Sequence, residues 1–431
     1  MKTVNIGLIG FGTVGAGVVE TIQKNSGLIA ERPGARLVMY RIADLDTTSD
    51  RGVVVPPGVL GPDAMELIAD PAVDIVVELV GGTGVARKFV RAALEAGKPV
   101  VTANKALLAK YGAELFALAA EHGTEIYFEA SVGGGIPCIK ALREGLAANR
   151  VQEMYGILNG TCNYILTRME NERADFGDVL AAAQAAGYAE ADPAADVDGY
   201  DTANKAAILA SLAYGHWFTV DDVDTQGIRE VTLSDIDYAR ELGYRIKLLA
   251  VIKERGGMVE LGVHPSLIPS SSLLGHVDDV FNALLVKGDI VGDTLYYGRG
   301  AGRAATSSAV VADIIDIALN LANESPNRLP AFRPLAEYRP IQDDTSLGSR
   351  FYIRLQVADN PGVLAQVSGI LGTHGISIAS VTQKEGHLSS VPMVILTHQA
   401  SETAMKQAIA QIGGLACVVG RPVIFRLEDL S

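Results

Sequence analysis

The stretch GYAEADPAADVDGYDTANKA, residues 187 to 206, sets five carboxylates (Glu190, Asp192, Asp196, Asp198 and Asp201) ahead of a single lysine, Lys205. Asp201 and Lys205 stand four apart, which places them on one face of a helix, and the following AAILASLA is apolar enough to bury that helix. On a solvated surface such a pair contributes about 0.2–0.5 kcal/mol. At the mouth of a buried helix it becomes a candidate site. Neighbouring carboxylates keep the lysine charged, as a proton donor requires, and any left unpaired can bind an ammonium group. A calcium loop is excluded, because the D-x-D-x-D-G spacing with a glutamate at its twelfth position is absent. An acidic, solvated turn remains the bland alternative.

Two further stretches carry residues suited to chemistry. GFGTVG, Gly10 to Gly15, has glycines in GxGxxG spacing after an apolar strand and at the head of a helix. Gly10 permits the tight turn, Gly12 lets the backbone approach a pyrophosphate, and Gly15 allows close packing of helix on strand. Phe11, Thr13 and Val14 complete a loop whose amides and helix N-terminus attract an anion. The reading is dinucleotide binding, with NAD and NADP both open: MYRIADLD offers Arg41 for a 2'-phosphate and Asp44 or Asp46 for a ribose diol. Lys105, in VVTANKALLAKYG, follows another apolar strand at the edge where open parallel sheets bind ligands; a solvated helix-opening lysine is its alternative. In EASVGGGIPCIKAL, Gly133, Gly134 and Gly135 form a loop that can approach a ligand or turn carbonyls onto a cation, or can serve as a hinge between domains. Lys247 is expected to be structural or on the surface.

The elements that must position these residues are legible as periodicity. TVNIGLIG, ARLVMYRIA, VDIVVELVG, KPVVTA and TEIYFEA read as buried parallel strands of a doubly wound sheet over residues 1–135. Residues 136–299 read as an α+β substrate and dimerisation domain. YYGRGAGRAATSSAVVADIIDIAL then supplies a glycine loop and a helix, about 300–323, that packs back on the first domain. Pro326, Pro330, Pro334 and Pro340 mark a linker over 324–348. From 349 to 431 the order strand, helix, strand, strand, helix, strand is that of a ferredoxin-like domain.

Composition narrows the partners. A chain of 431 residues with a net charge of -14 repels nucleic acid phosphates and anionic lipid, so neither is expected as a partner. Three cysteines, far apart and in no metal-binding spacing, indicate a reducing compartment. The sequence enters VNIGLIGFG without a basic region, and no apolar run reads as a membrane span; the expected location is the cytoplasm.

Taken in order, GLIGFGTVGAGV, VVTANKALLA, NGTCNYIL, GYAEADPAADVDGYDTANKAAILA and GRGAGRAATSSAVVAD resemble the homoserine dehydrogenase family, and VADNPGVLAQVSGILGTHGISI resembles an ACT domain. No kinase domain precedes them, so the resemblance is to the monofunctional form. It covers essentially the whole chain and implies a Rossmann-type domain, a substrate domain and a C-terminal ACT domain. The implied reaction interconverts L-aspartate 4-semialdehyde and L-homoserine with NAD(P)H, in threonine, methionine and isoleucine biosynthesis. By motif position, Lys205 matches the family's proton donor and Lys105 its second active-site lysine, also within reach of the cofactor. Glu190, Asp196 and Asp201 match the acidic residues that organise substrate, Thr161 a substrate contact, and Gly187 and Gly302 cofactor-side positions. Glu129, Val132, Gly134 and Ile136 match a monovalent cation (sodium) site, three of them through backbone carbonyls. Some relatives carry a pair of acidic residues where this chain has Ala195 and Asp196. The resemblance also implies a homodimer or homotetramer, with L-threonine as an effector near ADNPGVL, where Asn360 and Gly362 open a helix. Removal of 350–431 is then expected to leave a folded, active, threonine-insensitive core. Two rival readings stand beside this one: an oxidoreductase for another small amino acid or semialdehyde, and a catalytically silent amino-acid sensor.

Overall fold

The computed structural model describes residues 2–32, 34–325, 332, 348–384 and 390–430. The expected linker, with its four prolines, lies outside the described residues apart from 324, 325, 332 and 348.

The apolar runs of the first domain form a six-stranded, all-parallel sheet. Its strands are Lys2–Ile9, Ala35–Ala43, Leu60–Gly61, Ile75–Glu78, Val100–Thr102 and Ile126–Tyr127, in spatial order third, second, first, fourth, fifth, sixth. Ile6, Leu8, Ile75, Val77 and Val101 have no exposed surface, as strands covered on both faces require. The order reverses between Lys2–Ile9 and Ile75–Glu78, and the crevice at the carboxyl ends of these strands is where such sheets bind ligands. Helix Arg303–Ala322 returns to pack against helix Thr13–Lys24. A Cβ on Gly17 would lie 2.8 Å from Arg303 Cγ, and the Thr21 and Ser307 hydroxyls meet at 3.3 Å. This 20-residue helix is long and apolar enough to cross a membrane, contrary to the expectation that no run would be; half of it is buried, with Val310, Ile314 and Ile317 in the core of the first domain.

The second sheet has eleven strands and joins the remaining two domains. The substrate domain contributes Val151–Ile157, Tyr244–Arg255, Met258–Pro269, Phe281–Gly288 and Gly292–Arg299. Helices Gly160–Glu172 and Tyr200–Tyr214 cover one face, where Ala203, Ala206, Ala207 and Ala210 share a core with Ile246, Leu248, Ala250 and Ile252. Small side chains let the second helix approach the sheet closely. The C-terminal domain runs strand Gly348–Ala358, helix Val363–Thr373, strands Ile378–Gln383 and Ser390–Thr397, helix Glu402–Gly413 and strand Val423–Leu427, as its sequence order implied.

A detachable C-terminal unit does not match this geometry. Strand Val423–Leu427 pairs in parallel with Met258–Pro269, Ser266 opposite Arg426 and Leu267 opposite Leu427, so the small domain's sheet continues that of the substrate domain. Polar contacts reinforce the seam. Tyr352 Oη and Arg354 Nε donate to Asp235 Oδ1 at 2.9 and 2.6 Å, and Lys253 Nζ donates to Glu428 Oε2 at 2.7 Å. Asp235 has no exposed surface and Glu428 only 3%.

Candidate active site

Two helix N-termini meet across the boundary between the first and second domains. Helix Lys105–Glu121 begins where strand Val100–Thr102 ends, with the Asn104 side chain capping it by accepting from Leu107 N. Helix Tyr200–Tyr214 begins at Gly199, whose φ of +89° gives the left-handed turn into it. Asp201, in its first turn, therefore faces Lys105. Its Oδ1 lies 3.1 Å from Lys105 Nζ, and its Oδ2 accepts from Lys205 Nζ at 2.7 Å. Lys205 Nζ also donates to the Leu158 carbonyl at 2.6 Å. The side chains of Lys205 and Asp201 are only 11% exposed, whereas that of Lys105 is 39% exposed. Burial would raise the Asp201 carboxyl, but the charges of Lys205 and Lys105, and hydrogen bonds from Lys205 and Asn159, hold it well below the usual carboxylate range. The acid is thus an anion clamped between two cations, one from each domain.

Asn159 was not singled out from the sequence. Its amide Nδ2 donates to Asp196 Oδ1 at 2.7 Å and to Asp201 Oδ2 at 2.9 Å, while its Oδ1 accepts from Cys162 N and caps helix Gly160–Glu172. An asparagine immediately before a helix is a capping signal; that the same amide ties two distant carboxylates together has no local signature. Glu78 was missed for the same reason. Fully buried at the end of its strand, it accepts from Thr102 Oγ1, Val80 N and Gly81 N, and so fixes the loop that delivers Lys105.

A cleft of about 670 Å³ opens in front of these groups. Val14, Lys105, Gly134, Thr161, Gly187, Glu190, Asp196, Asp201, Lys205 and Gly302 of the expected site residues line it, as does Tyr188, an additional residue whose ring is tilted against that of Tyr164 with centroids 4.7 Å apart. Glu190 is exposed, and Thr161 Oγ1 donates to the Tyr188 carbonyl at 3.0 Å. Gly187 and Gly302, with φ of +76° and +106°, leave open space where a Cβ would be.

The glycine loop has the shape of a cofactor cradle. A Cβ on Gly10 would collide with the Leu79 backbone at 2.7 Å, and one on Gly15 with the Gly10 carbonyl at 2.1 Å, whereas one on Gly12 meets nothing within 4 Å. Gly10 and Gly15 thus serve the fold, and Gly12 leaves the backbone bare. Phe11 N donates to Asp44 Oδ2 at 2.5 Å, while Thr13 opens the helix and is exposed. Arg41 is turned onto Glu66 and Asp70, at 2.8 and 3.0 Å, and does not line the cleft. Asp46 holds Arg51 at 2.9 Å.

The loop from Glu129 to Ile136 is built around a buried acid. The Glu129 carboxylate accepts from Ile139 N and Lys140 N at 2.9 and 2.8 Å, so both its oxygens are engaged by protein amides. Burial pushes it up to about 7 despite those two donors. Gly133 and Gly134 take φ of +71° and +56°, while the Val132 and Ile136 side chains are buried. Among the described residues no group of three or more His, Cys, Asp or Glu is arranged to hold a metal.

Comparison with known proteins accounts for the whole chain. Residues 137–315 match the family model described as homoserine dehydrogenase, residues 10–129 that of the homoserine dehydrogenase NAD binding domain, and residues 351–414 that of the ACT domain. A homoserine dehydrogenase of Neisseria gonorrhoeae is 46% identical over 435 residues, covering 100% of both chains. The crystal structure of one from Thiobacillus denitrificans superposes with a TM-score of 0.95 at 45% identity, covering 100% of this chain and 99% of that one. A hyperthermophilic archaeal homoserine dehydrogenase solved in complex with NADPH superposes with a TM-score of 0.63 at 29% identity, over 74% of this chain and 98% of its own. A glycine cradle, a clamped pair of lysines and full-length similarity agree: the chain belongs to the homoserine dehydrogenase family, NAD(P)-dependent oxidoreductases with, here, an ACT domain at the C-terminus.

Proposed function

We propose that Lys205 and Lys105 carry the interconversion of L-aspartate 4-semialdehyde and L-homoserine in this cleft, with Lys205 as the proton donor. The observation that carries this reading is Asp201, which spans the two lysines from opposite domains. Bound NAD(P)H supplies the hydride to the aldehyde carbon. As negative charge develops on the aldehyde oxygen, Lys205 and Lys105 stabilise it, and Lys205 gives up its proton. Asp201 keeps both ammonium groups ordered. Glu190 and Asp196 offer carboxylates to the substrate ammonium, with Thr161 beside them. Gly10 to Gly15, Gly187 and Gly302 would hold the cofactor, with the NAD or NADP preference to be set by assay. The engagement of Arg41 by Glu66 and Asp70 leaves it less suited to a 2'-phosphate.

A sodium ion at Glu129, Val132, Gly134 and Ile136, three of them through backbone carbonyls, agrees with the two left-handed glycines in that loop, and a nearby cation would favour the ionised form of Glu129. Self-association as a dimer or tetramer is supported by an apolar sheet face on which Tyr297 is 55% exposed beside Phe281, Leu285 and Leu295. The ACT domain is read as an amino-acid sensor with L-threonine as its effector, and a cytoplasmic location suits three free cysteines. The test is a steady-state assay with aspartate semialdehyde comparing NADH with NADPH, with and without threonine. Turnover with either cofactor supports the reading, and no turnover with both returns the chain to the silent-sensor alternative.

A further inference from the structure

We propose that Gly112 and Trp217 are positioning residues of the catalytic centre, whose packing sets the distance between the helices that carry Lys105 and Asp201 and so the span of the clamp. The inference rests on the catalytic role proposed above for Lys105. Gly112 follows Lys105 by seven residues along helix Lys105–Glu121 and Phe116 follows it by eleven, so at 3.6 residues per turn all three lie on one face. That face is pressed onto Trp217, which belongs to the other domain. A Cβ on Gly112 would lie 1.7 Å from Cζ2 and 2.3 Å from Cη2 of the indole, and the Phe116 ring meets the indole with centroids 5.5 Å apart. Phe332 closes the cluster, its centroid 5.1 Å from that of Trp217 and 6.1 Å from that of Phe116. Only a glycine fits between this helix and the ring.

Trp217 is in turn fixed to the helix that bears Asp201 and Lys205. Gly215, with φ of +62°, turns the chain out of helix Tyr200–Tyr214. Fully buried Phe218 then donates its backbone N–H back to Ser211 Oγ at 2.9 Å, and that hydroxyl donates to the Ala207 carbonyl at 2.7 Å. The indole N–H has no hydrogen-bond partner among the described residues, so the ring acts here through its shape. The two helices are thus held together twice. Asp201 meets Lys105 at their N-termini at 3.1 Å, and Trp217 meets Gly112 two turns further along, roughly 10 Å away at 1.5 Å per residue. Carbon atoms pack at about 3.5–4.0 Å, so a methyl group at position 112 must drive helix and ring apart by roughly 2 Å. The helix carries that shift to Lys105, where a misplacement of roughly 1 Å is enough to slow a reaction.

The test is a mutant cycle in the full-length enzyme, assayed with aspartate semialdehyde and NAD(P)H. Gly112→Ala, Trp217→Leu and the two together are each made with Lys105 present and with Lys105→Met. Trp217 is the single tryptophan of the chain, so its emission shows directly whether the ring has moved in Gly112→Ala. With Lys105 present, Gly112→Ala should lower kcat at least about tenfold. In the Lys105→Met background the same change should cost less than about twofold, because the group that it misplaces is gone. Adding Trp217→Leu, which removes the ring from the path of the new methyl group, should recover most of the lost turnover. If Gly112→Ala does not fold, Trp217→Leu alone carries the test, since its loss of kcat must likewise depend on Lys105. Equal losses in both backgrounds make the pair a contact of the fold and overturn the positioning role alone. Wild-type turnover in Lys105→Met overturns that role together with the catalytic reading of Lys105.

Discussion

Withdrawing Asp201 from water costs free energy that two ammonium groups, at 2.7 and 3.1 Å, return only because both are held in place by their own helices. The glycine loop shows a similar division of labour. Because a Cβ on Gly12 meets nothing within 4 Å, Gly12→Val should leave the thermal transition unchanged and raise the Michaelis constant for NAD(P)H at least tenfold; a folded variant with wild-type cofactor affinity would remove the loop from the site. Glu129 makes a prediction about pH. Burial raises its carboxyl to about 7, and buried Asp313, whose Oδ2 accepts from Glu129 N, is raised as well. A carboxyl raised in the folded state holds its proton where the unfolded chain has lost it. The stability it contributes is therefore complete below about 4.5 and is lost as pH rises through about 7. Urea unfolding should show stability declining between about pH 5 and about pH 8, and Glu129→Gln should flatten the decline; an unaltered slope would refute this. The residues legible in the sequence are those with a local spacing, such as Asp201 with Lys205 or the three glycines. Asn159 and Glu78 act through partners 24 to 42 residues away, and Lys247, 1% exposed and bonded to the Val277 carbonyl, gave no sign of such complete burial.

Elements were legible where burial is uniform. Parallel strands covered on both faces appear as unbroken apolar runs, so five strands of the first sheet are evident in the sequence, while Leu60–Gly61, two residues long, carries no periodicity. Helix Tyr200–Tyr214 announces itself through its alanines, which allow the close approach that positions Asp201. What the sequence does not display is how helix Gly160–Glu172 is joined to it. Asn159 performs both tasks, capping one helix and bridging to the acidic stretch. Asn159→Asp keeps the cap but sets a third carboxylate against Asp196 and Asp201. Thermal stability should fall modestly, by about 1–2 kcal/mol, and kcat by roughly tenfold or more. Unchanged kcat would make Asn159 a cap and nothing else.

Across the whole molecule, the substrate and ACT domains share one continuous sheet, a continuity that the sequence does not display because Ser266 and Arg426 are paired across 159 intervening positions. Removing 350–431 would strip Asp235 of Tyr352 and Arg354, and Lys253 of Glu428, and would bare to water the strand edge and the apolar core that Tyr352, Val423, Phe425 and Leu427 cover. The truncated chain should be recovered insoluble or show a collapsed melting transition; a soluble, fully active core would contradict the joined sheet. The first and second domains are likewise joined by chemistry, since Lys105 comes from one and Asp201 with Lys205 from the other. The most direct measurement is Lys205→Met, which keeps the apolar stem while removing charge and proton, set against Lys110→Met, an exposed lysine on the Lys105 helix. With aspartate semialdehyde and NAD(P)H, Lys205→Met should lose at least about 10²-fold in kcat while its cofactor binding, followed by nicotinamide fluorescence, stays at the wild-type level. Near-wild-type turnover in folded Lys205→Met, or a loss matched by Lys110→Met, would mean that the proton comes from elsewhere and that the acidic stretch is a structural turn.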